Sequence, residues 1–431
     1  VTEVDLLRNP VRPYAWGSRT AISTLLGLPV PAPHPEAELW LGAHPSDSST
    51  LVRADGSEAA LVEVLHADPH RQLGQACAQR WGGRLPFLMK VLAADEPLSL
   101  QAHPSAEQAA EGFEREERAG VPLDASERNY RDRSHKPELI CALTEFHALA
   151  GFRDADRTVE LLNELDVPEL AHYVDLLAAV PGPEGLRALF TTLITLPQAA
   201  VDALLPPVLD GCVRHLQAHG PYDRECRTVL ELGEAYPGDA GVLAALLLNR
   251  IVLAPGEAMY LPAGNLHSYL RGTGVEIMAN SDNVLRGGLT PKHVDVPELM
   301  RVLDFRGGDM PLLTGERQRD CVTVYPTEAV EFELSRLDWA ERAINPLGIV
   351  DGDGLAGTDV GDSTVRLEPV GPQVLLCTAG RVRLLAEDGG TLTISRGQAV
   401  WLAAADPAVE VVPVECDESG RTQVFHATAP S

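Results

Sequence analysis

A short β-unit occurs twice in this chain. Gly256-Glu-Ala-Met-Tyr-Leu-Pro-Ala-Gly264 aligns with Gly397-Gln-Ala-Val-Trp-Leu-Ala-Ala-Ala405, and the copies share the leading glycine, the central alanine, the aromatic and the leucine. Each reads as a strand running into a turn, and in the first copy proline and glycine fix a sharp bend. Such an echo implies two β-barrel units in one chain. Three residues past the first copy stands His267, and the corresponding position after the second is Ala408. One unit therefore carries a ligand-type residue and the other is silent.

His267 does not stand alone. Leu100-Gln101-Ala102-His103-Pro104 and His135-Lys136-Pro137-Glu138-Leu139 add an amide, a second imidazole and a carboxylate. Gln101 and His103 are two apart, so on a strand their side chains share a face. Singly, each histidine reads equally well as an ordinary hydrogen-bonded residue. Together, nitrogen and oxygen donors without thiolate suit zinc or a similar divalent metal. A mixed set that leaves a position open suits catalysis rather than structure.

The donors are split by a block of different character. From 154 to 250 the pairs Leu161/Leu165 and Leu186/Leu189/Phe190/Leu193 have helical spacing, and Pro181, Pro197, Pro206 and Pro207 punctuate the pattern. Asp239 is placed to cap a helix through Val242–Leu248. Trp40-Leu41-Gly42 and Leu85 to Leu92 read as buried strands, and Ser105 to Arg118 as a helix whose Glu111–Arg118 face is solvated. Beyond 320, Val374–Thr378, Arg381–Leu385 and Val409–Val414 are again β-like. Asp351-Gly-Asp353-Gly fails the calcium-loop pattern and reads as a plain loop. The fold expected is mainly β with an α insert: two β-barrels plus an inserted helical domain. The Gly-(x)5-Pro-x-Gly-x-x-His segment that ends at His267 resembles a cupin motif, which implies cupin-type (jelly-roll, double-stranded β-helix) barrels. The divisions are 1–153 with 251–318 for the metal-binding barrel, 154–250 for the helices and 319–431 for a metal-free, cupin-like barrel.

With 431 residues, more than one core is expected. The formal charge of −27 argues against nucleic acid or an anionic membrane as partner. There is no apolar run long enough for a transmembrane helix. Glu3, Asp5 and Arg8 near the start, with no apolar core after them, argue against a signal peptide. The seven cysteines are scattered with no C-x-x-C pair, which suits a reducing cytoplasm and a core-filling role. Of 35 basic residues only Lys90, Lys136 and Lys292 are lysine. All three fall inside the motif segments, where a compact ammonium is not replaced by arginine's planar fork.

Those segments carry a family resemblance. Pro86-Phe-Leu-Met-Lys-Val-Leu, Leu98-Ser-Leu-Gln-Ala-His-Pro, His135-Lys-Pro-Glu-Leu, Leu261-Pro-Ala-Gly-Asn-Leu-His and Val275-Glu-Ile-Met-Ala-Asn-Ser-Asp-Asn-Val-Leu-Arg-Gly-Gly-Leu-Thr-Pro-Lys together resemble the type I mannose-6-phosphate isomerases, a cupin family. The resemblance runs in order from about residue 8 to 300, and the C-terminal quarter follows the family only in general pattern. It implies one zinc ion on Gln101, His103, Glu138 and His267. It implies interconversion of mannose 6-phosphate and fructose 6-phosphate through an enediol(ate). It also assigns Lys90, Lys136, Glu276, Asp282, Arg286 and Lys292 to the active site, His135 as a proton-transfer candidate and, more loosely, Glu38.

The chemistry leaves several roles open at this level. Zinc can polarise the sugar oxygens or simply organise the pocket. Lys136 can hold a sugar oxygen or, its ammonium destabilised near a metal, act as a base. Arg286, read in a loop before Gly287-Gly288, offers a fork to a phosphate or an enediolate oxygen. Asp282 can act as acid/base or orient that arginine. Lys90 and Lys292 are candidates for phosphate or hydroxyl contacts, with Glu276 and Glu38 beside the substrate. Two other classes compete: an iron cupin dioxygenase, against which the Gln ligand and the basic pocket argue, and a non-catalytic sugar-phosphate sensor, which would not need a complete metal set. The expected partner is a hexose 6-phosphate, and the chain is expected to be a monomer or weak homo-oligomer.

Overall fold

The computed structural model describes residues 4–340 and 364–430. The Asp351–Gly354 segment, read as a loop, lies outside the described residues. The chain is mainly β with several helices. The elements used below run in chain order from β1 (Glu38–Leu41), β2 (Phe87–Ala94), β3 (Leu100–Ala102) and α1 (Ala106–Arg118) to β4 (Glu138–Ala142) and β5 (Phe146–Phe152). Then come α2 (Ala155–Glu164), α3 (Ala171–Ala179), α4 (Pro183–Ile194), α5 (Gln198–Ala218), α6 (Asp223–Ala235) and α7 (Gly241–Ala245). After them follow β6 (Leu248–Leu253), β7 (Ala258–Leu261), β8 (His267–Ala279), β9 (Leu285–Gly288), β10 (Ala399–Leu402) and β11 (Arg421–Thr428).

The described residues gather into two compact units: Val1–Ala93 with Gly274–Asn280 and Leu313–Ser431, and Ala94–Thr273 with Ser281–Leu312. In the first unit a nine-stranded sheet includes both β10 and β11. The N-terminal strand Asp5–Arg8 is built into it, antiparallel to β10 on one side and to Thr50–Val52 on the other. A four-stranded sheet is formed by Val365–Leu367, Val409–Glu415, Arg381–Ala386 and Thr391–Ser395. Alternation along Arg381–Ala386 buries Val382, Leu384 and Ala386 and exposes Arg381 and Arg383. The buried side chains meet Leu375, Val400 and Val424 of the larger sheet in one core. That is the packing of a two-sheet sandwich.

In the second unit β9, β3, β8, β5 and β6 hydrogen-bond in that order, all antiparallel, and β4 pairs with β7. Ser105 starts α1 with a capping box: its hydroxyl accepts from the Gln108 N–H and the Gln108 side chain accepts from its own N–H. α2 to α7 follow one another, and their apolar faces share a core with Leu100, Leu149, Phe152 and Leu285 of the strands.

The repeat is borne out as structure. β7 and β10 are both four-residue strands between turns, and their leading glycines, Gly256 and Gly397, hold φ of +90° and +86°. That left-handed backbone is why glycine opens each copy.

Two helical expectations are corrected. The helix expected through Val242–Leu248 stops at Ala245, and Leu248 already opens β6. Leu248 pairs with Phe152, so sheet hydrogen bonds outweigh helix continuation there. Pro206 and Pro207 do not break the chain but lie inside α5. The burial of Val201, Leu204, Leu205, Val208 and Cys212 along that helix offsets the lost backbone hydrogen bonds.

Candidate metal centre and surrounding residues

Three of the four expected donors converge. His103, Glu138 and His267 are buried and their ligand atoms all lie within 4.8 Å of one another. Glu138 Oε1 is 3.3 Å from His103 Nε2 and Glu138 Oε2 is 3.4 Å from His267 Nε2. Both Nδ1 atoms point outward: that of His103 donates to the Asn283 carbonyl at 2.8 Å and that of His267 to the Asn265 carbonyl at 3.0 Å. This fixes the tautomer that leaves each Nε2 lone pair facing the carboxylate. His103 Nε2 is buried without a hydrogen-bond partner. A buried, unpartnered imidazole nitrogen beside a carboxylate fits a divalent cation.

The fourth donor is placed by register. Gln101 on β3 stands opposite His267 of β8 on one side and Arg286 of β9 on the other. Directly opposed residues share a face of the sheet, so amide, imidazole and guanidinium form one row. Arg286 is therefore on a strand, which corrects the loop expected from Gly287-Gly288. The second glycine serves packing. Gly288 has φ +123°, and a Cβ there would sit 2.7 Å from Gly241 Cα.

Electrostatics favour an ionised Glu138 beside a neutral His103. Burial opposes its charge, but the histidine rings and the Lys136 ammonium beside it hold Glu138 well below the usual carboxylate range. Burial pushes His103 down, which keeps the ring neutral and able to ligate. Lys136 Nζ is 3.3 Å from Glu138 Oε1. It lies before β4 rather than on it, and still reaches the carboxylate.

Arg286 and Lys292 form a cationic group with Arg131, a residue the sequence reading did not single out. The Arg286 guanidinium is pushed down by burial and by the charge of Arg131. Burial, then Arg286 and Arg131, do the same to Lys292. Among the described residues none of the three has a carboxylate within ion-pair distance. Mutual repulsion without a counter-charge is the electrostatic signature of an anion site.

Asn283, fully buried, was also missed as an individual residue. Its amide Oδ1 accepts from the Arg131 and Asp132 N–H groups, and its Nδ2 donates to the Asp132 and Ser134 carbonyls. Asp132 in turn accepts from Ser281 Oγ and the Asp282 N–H. The segment leading to His135 and Lys136 is thus tied to the one leading to Arg286. His135 is half-buried and Asp282 exposed.

The remaining expected residues sit in the first unit. Lys90 Nζ is 3.1 Å from Glu276 Oε2 and 3.4 Å from Glu38 Oε1, and all three are buried. Trp40 Nε1 donates to Glu38 Oε2 at 2.7 Å. Here the ammonium already faces two carboxylates.

Residues 5–155 match the model of the phosphomannose isomerase type I catalytic domain. The chain is 41% identical over 342 residues to the mannose-6-phosphate isomerase of Escherichia coli K12, covering 78% of this chain and 84% of that one. It is 37% identical over 420 residues to that of Salmonella typhimurium LT2, covering 96% and 97%. A crystal structure of the Salmonella typhimurium enzyme bound to fructose 6-phosphate and zinc superposes with a TM-score of 0.84 at 32% identity, over 100% of both chains. The chain belongs to the type I phosphomannose isomerase family.

Proposed function

We propose that this chain interconverts D-mannose 6-phosphate and D-fructose 6-phosphate with one zinc ion on Gln101, His103, Glu138 and His267. The observation that carries this reading is the buried His103–Glu138–His267 cluster in one unit with the unpaired cations Arg286, Lys292 and Arg131. Bound zinc supplies Lewis acidity toward the sugar oxygens. The chain's own groups do the rest. A proton leaves C2 and one returns to C1, with an enediol(ate) between, and Lys136 and His135 are the groups to carry it. Arg286, on the row with Gln101, stabilises the negative oxygen, and Lys292 with Arg131 takes the phosphate. Asp282 acts as acid/base or orients Arg286, and Lys90, Glu276 and Glu38 are assigned to substrate binding.

The fold reading accompanies it. We infer a metal-bearing cupin barrel from 1–153 and 251–318, a helical insert over 154–250 and a metal-free cupin-like barrel over 319–431. The six consecutive helices from Ala155 to Ala245 and the repeated β7 and β10 turns support it. The N-terminal strand is lent to the C-terminal sheet. A reducing cytoplasm suits seven scattered cysteines with no C-x-x-C pair. The charge of −27 disfavours nucleic acid and anionic membranes, and among the described residues no single helix is long and apolar enough to cross a membrane. A monomer or weak homo-oligomer remains our reading of assembly.

The test is a coupled assay with mannose 6-phosphate before and after a chelator, with metal content measured on the same sample. Turnover that vanishes on chelation and returns with zinc is expected. No turnover from folded, zinc-loaded protein overturns the isomerase reading.

A further inference from the structure

A second basic cavity lies away from the metal centre and includes none of its residues. It encloses about 390 Å³ in the second unit, between one face of α6 and the strands β5, β6 and β8. Arg224, Arg227 and Thr228 come from α6 at helical spacing, so they share one face. Arg250 comes from β6, and His147 and Arg271, opposed across β5 and β8, complete the wall. Along β5 this row is three residues from Ala150, which stands opposite His267.

The floor is built and the rim is open. Arg250 is half-buried and held on three sides: it donates to Thr228 Oγ1 at 2.7 Å, to the Ile251 carbonyl and to His147 Nδ1. Arg224, Arg227 and Arg271 are exposed at the mouth. Among the described residues none of the four guanidiniums has a carboxylate within ion-pair distance. In this wall Glu145 Oε1 accepts from His147 Nε2 at 2.7 Å. Burial lowers the Arg250 pKa against the attraction of Glu231 and Glu225, and the charges of Arg224 and Arg271 add to the lowering. In a chain of charge −27, four arginines gathered in one wall, none of them held in an ion pair with a described residue, are unusual.

The wall also holds Asp95, Glu145 and Glu231. A bare anion would be repelled by them. A ligand with a phosphoryl group and several hydroxyls would use both sets: the forks take phosphoryl oxygens and the carboxylates accept from hydroxyls. The volume falls in the range of small-ligand pockets, about 300–1,000 Å³. We propose that this cavity is a second ligand site, separate from the metal centre, for a hydroxyl-bearing phosphate ester. It does not depend on the isomerase reading.

The experiment is isothermal titration of the zinc-loaded full chain with sorbitol 6-phosphate, which has hydroxyls and a phosphoryl group but no carbonyl to isomerise. The double variant R224Q/R227Q alters exposed helix positions, and its circular dichroism and zinc content report that the fold is intact. If it does not fold, R271Q on the strand wall serves the same reading. Loss of one binding event, or its weakening by about tenfold or more, is expected in the variant. Identical titrations of wild type and variant overturn the site. Sulfate binding there as tightly as sorbitol 6-phosphate overturns the assigned ligand class.

Discussion

Asn283 has no exposed surface and faces two ways: its carbonyl holds His103 Nδ1, and its amide group ties the 131–134 backbone. Asn283→Ala removes the amide contacts, so the segments carrying Arg131, Lys136 and Arg286 loosen. Zinc affinity is expected to fall by about 10–100-fold, the usual effect of removing a support behind a metal ligand, readable by competition with a chromogenic chelator. Glu138→Ala deletes the lone carboxylate between the imidazoles. It should lose zinc and activity together, with turnover down at least about a hundredfold. Lys136→Ala should keep stoichiometric zinc and lose turnover. A Glu138→Ala protein that binds zinc fully and turns over normally would show that the site is wrongly assigned. The four donors were legible as residues because their types and neighbours are distinctive. Arg131 and Asn283 were not, because a lone arginine in Asn-Tyr-Arg-Asp and one asparagine among two in Ala-Asn-Ser-Asp-Asn carry no local mark of what they will touch.

At the scale of elements, β9 is held by a close approach of backbones. Gly288 at φ +123° packs on Gly241 of α7, and Leu289 next to it is itself left-handed at φ +54°. Gly288→Ala adds a Cβ into backbone where none fits. A loss of about 2 kcal/mol or more in denaturant unfolding is expected, with a fall in activity as Arg286 shifts. In the sequence these glycines read only as part of a loop, because the partner, Gly241, is 47 positions away in the chain. β11 supports a different prediction. His426 is bonded to Ser335 and Gln373, and burial pushes its pKa down to about 4. Its pKa is about 6.5 in the unfolded chain, so between the two values the unfolded state binds more protons and stability rises with pH. Lowering pH from 7 to 5 should cost about 2 kcal/mol through this group alone. His426→Gln should flatten that slope in unfolding curves measured across the window.

For the whole molecule, a metal bound only by the native fold is a stabiliser. The donors come from β3 and its following residue, β4 and β8, spread from Gln101 to His267. The unfolded chain cannot bring them together. Removing zinc held at about a thousandfold above its Kd should therefore remove about 4 kcal/mol and lower the Tm. Glu138→Ala should show a low Tm that the chelator no longer changes. A Tm equal with and without chelator in the wild type would separate the metal from the fold.

The residue types and their order determined the mainly β character, the run of helices between 155 and 245, the repeated turn and the donor set. Each of these rests on local causes: strand and helix periodicity, glycine at positive φ, the chemistry of nitrogen and oxygen ligands. Tertiary structure alone decided which backbone carbonyls orient the imidazoles and which cations lack a counter-charge. It also decided that Pro206 and Pro207 stay helical, that Leu248 leaves the helix for a strand, and that Asp5–Arg8 joins the C-terminal sheet. Those outcomes depend on contacts between residues tens to hundreds of positions apart. Burial and pairing energies at such contacts exceed the propensity differences of about 1 kcal/mol per residue or less that local sequence expresses.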